Sequence, residues 1–295
     1  MTRANKQRFA KFLAVSVAIS ATILSVGTSN AKTLTIPGNR PFTLFVPTTY
    51  TSTTPAPLLI ALHGYRQSGA LLENYLHIQS IAQKLGILYV HPNGTADKNG
   101  NRFWNATPEC CDFQSAKIND DAYIMSIIDS VSKRYSVDAK RIYLVGHSNG
   151  GFMVNELACA HADRIAAVVD IAGGSFTKPS MCKASASISV LQIWGSNDES
   201  FAGNHIQGKP IPGAIKTFTD WALINKCVGK PKVAYLQKDL DRTVSGLDTS
   251  ISTYSKCPAN TSIEFWKISG AGHVPNISAT FTQSIITFLL DHPKT

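Results

Sequence analysis

The chain has no Cys-x-x-Cys pair and no two histidines at metal-ligand spacing, so no structural zinc site is expected. No block of like charge and no lysine- and arginine-rich run is present, which removes the usual footprint of a nucleic-acid binder. No internal repeat, low-complexity tract or Pro/Ser linker divides the chain. Its longest apolar stretch also falls short of the roughly 20 residues that a membrane-spanning helix needs.

That stretch, Phe12 to Val26, follows the cations Arg3, Lys6, Arg8 and Lys11 and precedes the small residues of Ser29-Asn30-Ala31. A basic start, a short apolar run and a small-residue cleavage site predict a signal peptide over residues 1–31, with cleavage after Ala31. Residues 32–295 then form one domain, long enough to bury a sizeable core. The formal net charge of +9 falls to +5 with the four cations of the leader, a mild balance that names no partner. All six cysteines (Cys110, Cys111, Cys159, Cys182, Cys227 and Cys257) lie beyond the leader. An even number in an exported chain predicts up to three disulfides. Cys227 and Cys257 flank a polar segment and are expected to staple it. The neighbours Cys110 and Cys111 are not expected to bond each other, but to reach Cys159 and Cys182 in either pairing.

Eight short runs read as strands: Lys32–Ile36, Phe42–Val46, Pro57–Leu62, Ile87–His91, Arg141–Val145, Ile165–Ile171, Ile188–Trp194 and Ile263–Ile268. Leu58-Leu59-Ile60-Ala61-Leu62 is apolar without alternation, as for a strand covered on both faces. Helical spacing appears at Leu71–Leu85, Ala122–Tyr135, Gly150–Ala160, Ala214–Asn225 and Ser278–Leu290. Strands alternating with helices predict an α/β domain: a mostly parallel eight-stranded sheet with helices on both faces and an antiparallel pair at its start. Gly94–Lys117 and Val228–Asn260 read as long irregular stretches, the expected walls of a substrate cleft.

The most informative segment runs Arg141-Ile142-Tyr143-Leu144-Val145-Gly146-His147-Ser148-Asn149-Gly150-Gly151. It is an apolar strand, then G-x-S-x-G, then a helix. The glycines permit a sharp strand-to-helix turn that lifts Ser148 out of the backbone, with a helix N-terminus behind it that favours negative charge. A serine needs a base, and the base a carboxylate; in this strand-turn-helix class the chain order is serine, acid, histidine. Asp198 in Trp194-Gly195-Ser196-Asn197-Asp198 and His273 in Ser269-Gly270-Ala271-Gly272-His273 each follow the carboxyl end of a strand, where such sheets place their sites. His205, in a loop near Asp198, is the alternative base. Asp170 reads as part of a strand, Asp220 as helical, and Asp241 and Asp248 as solvated loop residues. His77 and His161 read as surface or packing residues on helices, and His147 is expected to point away from the Ser148 proton. An oxyanion hole is expected from the backbone N–H groups of Asn149 and of Tyr65 in His63-Gly64-Tyr65-Arg66, with Gly64 as the alternative to Tyr65.

Further motifs fall in a matching order: Leu62-His63-Gly64, Phe103-Trp104-Asn105-Ala106, Cys110-Cys111, Asn119-Asp120-Asp121, Leu157-Ala158-Cys159, Ile171-Ala172-Gly173-Gly174 and Gly272-His273. In these the chain resembles one branch of the α/β-hydrolases, the polyhydroxybutyrate-depolymerase-like proteins and the feruloyl and acetylxylan esterases of carbohydrate esterase family 1. The resemblance implies the α/β-hydrolase fold, no cofactor, and a triad of Ser148, Asp198 and His273. Trp194 stands where that branch commonly has histidine, and Val274-Pro275-Asn276 replaces a Trp-Pro-Gly-like stretch. Both departures bear on substrate preference.

The expected function is therefore a secreted serine esterase, extracellular or periplasmic, that cleaves carboxylic esters through an acyl-enzyme. Its favoured substrates are feruloyl or other acyl esters on plant polysaccharide, or small aromatic esters. The alternative is a polyhydroxyalkanoate depolymerase or oligomer hydrolase, with synthetic polyesters as a side activity. Trp194, Phe201, Trp104 and Phe103 are candidates to line an apolar acyl or aryl pocket; the alternative for all four is core packing, which fits Trp104 better than a pocket role. The only partner expected is the ester substrate, with no nucleic acid and no membrane, and the protein is expected to be a monomer.

Overall fold

The computed structural model describes residues 31–295. The expected signal segment lies outside the described residues but for Ala31. Among the described residues no helix is long and apolar enough to cross a membrane.

Strands β1 (Lys32–Ile36), β2 (Phe42–Val46), β3 (Ala56–Leu62) and β4 (Leu88–Val90) are followed by the short β5 (Thr95–Ala96) and β6 (Arg102–Phe103). Then come β7 (Val137–His147), β8 (Ala167–Ile171), β9 (Ser189–Gly195), β10 (Asn204–Ile206), β11 (Lys209–Ile211), β12 (Lys232–Lys238), β13 (Thr249–Tyr254) and β14 (Ile263–Ile268). The helices are α1 (Gly69–Leu76), α2 (Ile78–Leu85), α3 (Asp120–Arg134), α4 (Asn149–Ala160), α5 (Ala214–Ile224) and α6 (Phe281–Asp291). One sheet runs in the order β1-β2-β4-β3-β7-β8-β9-β14-β13-β12. Its centre, from β4 to β14, is parallel, and both ends are antiparallel.

The sheet is thus mostly parallel as expected, with ten strands rather than eight. The additional pair, β12 and β13, falls inside the stretch read as irregular. Strand β12 lies at the sheet's edge and is largely exposed on both faces, so it carries no burial alternation for a sequence to display. Strands β5 and β6 form a small hairpin within the Gly94–Lys117 loop, and β10 and β11 form another. The helix expected over Leu71–Leu85 is two helices, broken at His77 by a left-handed backbone (φ 52°).

Strand β3 explains why its sequence is apolar throughout. Leu58, Ile60 and Leu62 pack into one core with Ile124 of α3, Met153 of α4 and Trp221 of α5. Leu59 and Ala61 pack into the opposite core with Leu72 of α1, Ala82 of α2 and Phe281 of α6. Each large apolar side chain so buried contributes about 1.5–3 kcal/mol. The same arrangement brings the carboxyl ends of β3, β7, β9 and β14 to one edge of the sheet.

All six cysteines are paired. Cys227 joins Cys257 as expected, and Cys159 joins Cys182. The expectation for Cys110 and Cys111 is corrected: they bond each other. A trans peptide holds neighbouring Cα atoms about 3.8 Å apart, whereas the peptide between this pair is cis and their Cα atoms stand 3.0 Å apart.

Candidate active site

The turn after β7 is built by its glycines. A Cβ on Gly146 would overlap the Gly150 carbonyl, and one on Gly150 would overlap the Leu62 carbonyl at the end of β3. Close backbone approach at these two points forces Ser148 into a conformation that L-residues avoid (φ 54°, ψ −117°). Such a residue costs about 1–3 kcal/mol, which the surrounding contacts must hold in place. The Ser148 N–H donates to the Ile171 carbonyl (2.8 Å), fastening the elbow to β8, and α4 begins at the next residue.

Asp198 and His273 arrive on two loops that are stitched together. The Ser196 N–H donates to the Ile268 carbonyl and the Asn197 N–H to the Ala271 carbonyl, each at 2.9 Å. In return the Gly270 N–H donates to Ser196 Oγ (2.8 Å). Gly195 admits this crossing, since a Cβ there would overlap the carbonyls of Ala271 and Gly272. Asp198 is buried; its Oδ1 accepts from the Ser200 N–H (2.8 Å) and its Oδ2 lies 2.8 Å from His273 Nδ1. His273 Nε2 lies 2.9 Å from Ser148 Oγ. The structure thus brings together in one hydrogen-bonded chain the three residues singled out by chain order and strand placement. Because a carboxylate only accepts, His273 carries its proton on Nδ1 and leaves Nε2 open to accept the Ser148 hydroxyl proton.

The other candidates take no part in this chain, although His205 stands on the wall of the cavity that opens over Ser148. His205 is exposed on β10, and Asp198 takes its hydrogen bonds from His273 and Ser200 instead. His147 is buried with its Nε2 3.2 Å from the His273 carbonyl oxygen, so it holds the histidine loop from behind. Asp170 is buried beneath α4, accepting from Asn155 Nδ2 and the Gly173 N–H, and burial pushes its carboxyl up to about 7. Asp241 and Asp248, expected in solvated loops, are buried as well. Asp248 takes the N–H groups of Leu240 and Asp241, while Asp241 takes that of Asn276, three residues past His273. Tyr75 Oη donates to the Pro275 carbonyl (2.8 Å) and holds the same loop. Neither role shows in the sequence, because each depends on segments far apart in the chain.

Beside the elbow, the turn after β3 is fixed by His63. Its Nδ1 lies 2.8 Å from the Gly64 carbonyl oxygen, and its Nε2 accepts from the Gly94 N–H (2.9 Å). That pattern needs a neutral ring protonated on Nδ1. Burial disfavours the charged imidazole and lowers His63 to about 4; burial, then the neighbouring His273, does the same for His147. NMR titration should therefore find both rings neutral from pH 8 to 5.5 and titrating near 4. A midpoint near 6.5 for either ring would contradict the buried placement. The Gly64 N–H donates to Gln67 Oε1 (3.2 Å), which leaves the Tyr65 amide as the next along the turn.

Trp104 and Phe201 do not line the cavity at Ser148, and those two expectations are corrected. Trp104 is fully buried: its indole N–H donates to the His63 carbonyl (2.9 Å), and its backbone N–H and carbonyl pair with the Asn149 side chain (2.7 and 2.9 Å). Phe103 is buried too. Phe201 sits behind Trp194, with ring centroids 6.5 Å apart, and against Phe265. Trp194 does line the cavity, a space of about 400 Å³ that opens over Ser148 and His273. Its remaining apolar walls are Tyr65, Phe113, Phe152, Ala172, Ile206, Ile211 and the Cys110–Cys111 pair.

Residues 41–203 match the family described as esterase PHB depolymerase. The chain is 29% identical over 237 residues to feruloyl esterase B of Piromyces equi, across 77% of this chain and 41% of that protein. To poly(3-hydroxyalkanoate) depolymerase C of Paucimonas lemoignei it is 28% identical over 165 residues, across 52% of this chain and 38% of that one. The chain thus spans about two fifths of the length of these curated relatives. Among solved structures, the acetyl xylan esterase from Aspergillus awamori superposes with a TM-score of 0.65 at 14% identity, covering 88% of this chain and 98% of that one. The fold is that of the α/β-hydrolases.

Proposed function

The chain belongs to the PHB-depolymerase esterase family, and on that footing we propose that it is a secreted serine esterase that cleaves carboxylic esters through an acyl-Ser148 intermediate. The observation that carries this is the position of His273 between Ser148 Oγ and Asp198, at 2.9 and 2.8 Å. As Ser148 attacks the ester carbonyl carbon, its proton passes to His273 Nε2, and Asp198 stabilises the imidazolium so formed. The amides of Asn149 and Tyr65 receive the oxyanion; the first belongs to the orphan N–H groups that open any helix, here α4. The alkoxide leaves with the proton from His273. Water, deprotonated by the same nitrogen, then releases the acid and restores Ser148. Export is supported by the basic and apolar pattern of residues 1–31 and by the three disulfides.

The substrate we assign is an ester with an aromatic or small acyl group, feruloyl esters of plant polysaccharide foremost. The aromatic lining of the cavity and the similarity to a feruloyl esterase support it. The similarity to a polyhydroxyalkanoate depolymerase favours the second reading, a hydrolase of hydroxyalkanoate polyester or its oligomers. Rates on methyl ferulate, acetylated xylan and hydroxybutyrate oligomers separate the two. Methyl ferulate or acetylated xylan is expected to give the higher kcat/KM; oligomers turned over tenfold faster than both would overturn the assignment.

A further inference from the structure

The disulfide between adjacent cysteines has no evident purpose as a staple. Cross-links stabilise chiefly by closing a loop of the unfolded chain, and more so the longer the loop. Cys159–Cys182 and Cys227–Cys257 span 23 and 30 positions, whereas Cys110–Cys111 spans one and closes almost nothing. Its position is more telling. Both cysteines are buried in a small apolar cluster with Phe152 and Ile211, against which Tyr65 and Phe113 pack. The same pair faces the cavity over Ser148. Asn149, whose side chain pairs with the Trp104 backbone, also donates from Nδ2 to Cys110 Sγ (3.5 Å). The disulfide thus bridges the residue next to Ser148 and the cavity wall. The Phe113 N–H donates to the Cys111 carbonyl (2.9 Å), so the pair also sets where the Phe113 ring begins.

We propose that the Cys110–Cys111 disulfide is a specificity-determining wall of the acyl pocket, a sulfur surface against which an aromatic acyl group seats. Sulfur is polarizable and favours contact with an aromatic ring at about 5 Å. Two sulfurs joined side by side present that surface without the rotamer freedom of a methionine. A short aliphatic acyl group has no ring to place there and gains nothing from it. The inference rests on the aromatic-ester reading above and locates the part of the cavity that makes the choice.

The test is the ratio of kcat/KM for methyl ferulate to that for methyl acetate, in the native protein and in Cys110→Ser/Cys111→Ser. The ratio is expected to fall about tenfold in the double variant, carried by a higher KM for the ferulate, in keeping with the strength of such contacts. A purely structural role would lower both rates together, and a ratio within twofold of the native value overturns the proposal. A native protein that ignores methyl ferulate while cleaving hydroxybutyrate oligomers overturns the aromatic-ester reading instead. Should the double variant not fold, a crystal structure of Ser148→Ala with methyl ferulate bound gives the answer with the disulfide intact. The ring is expected within about 5 Å of the two Sγ atoms; a ring seated away from them overturns the proposal.

Discussion

Ser148→Ala is expected to lower kcat on p-nitrophenyl acetate by about 10⁴- to 10⁶-fold, the loss seen when a serine nucleophile is removed from a triad. The backbone at this position has φ 54°, and it already carries a Cβ in the native chain. Alanine adds no atom there, and the contacts that force the turn belong to Gly146 and Gly150. The variant should therefore unfold within a degree or two of the native protein, which separates lost chemistry from lost structure. Residual turnover should reflect only the oxyanion amides and substrate binding. A variant keeping a tenth of the native rate would mean that another group attacks the ester.

Asp198→Asn should cost about 10⁴ in kcat with little change in KM. Asp198 is buried, with Oδ2 on His273 Nδ1 and Oδ1 on the Ser200 N–H. The Ser200 amide needs an acceptor, so the asparagine carbonyl should take the Oδ1 place and turn its NH₂ toward His273. A donor facing Nδ1 reverses the tautomer: the ring proton moves to Nε2, which then donates to Ser148 Oγ where it had accepted. The geometry survives and the base is lost. Steady-state kinetics on p-nitrophenyl acetate read this as a fall in kcat; a loss under tenfold would show that Asp198 does not set the tautomer.

The hydrogen-bonded chain of Ser148, His273 and Asp198 is legible in the sequence because each member is tied to a local rule. Ser148 needs a glycine on either side for a turn this tight, and those glycines stand two positions away from it. Asp198 and His273 were found because a parallel sheet delivers its loops to one edge, so position after a strand is position in space. What the sequence hid depends on contacts between distant segments. Asp241 and Tyr75 hold the loop of His273 from segments far removed along the chain, and nothing beside them signals it. Trp104 and Phe201 have the composition of pocket residues, yet the Asn149 side chain and Trp194 lie between them and the cavity. The bond between Cys110 and Cys111 joins immediate neighbours, a pairing that spacing argues against. Strand β12 escaped because this edge strand is wet on both faces, and β13 because its burial, intermediate along nearly its whole length, shows no alternation.

The claim on which the rest depends is that Ser148, raised by the elbow and deprotonated by His273, is the residue that bonds to the acyl group. Treating the native protein with a fluorophosphonate and weighing the digested peptides tests it directly. A single adduct is expected, on the peptide that carries Ser148, forming at least 100-fold faster than in His273→Gln and absent from Ser148→Ala, since a serine without its base is a poor nucleophile. An adduct on a different residue, or labelling of Ser148 that ignores the loss of His273, would contradict the account.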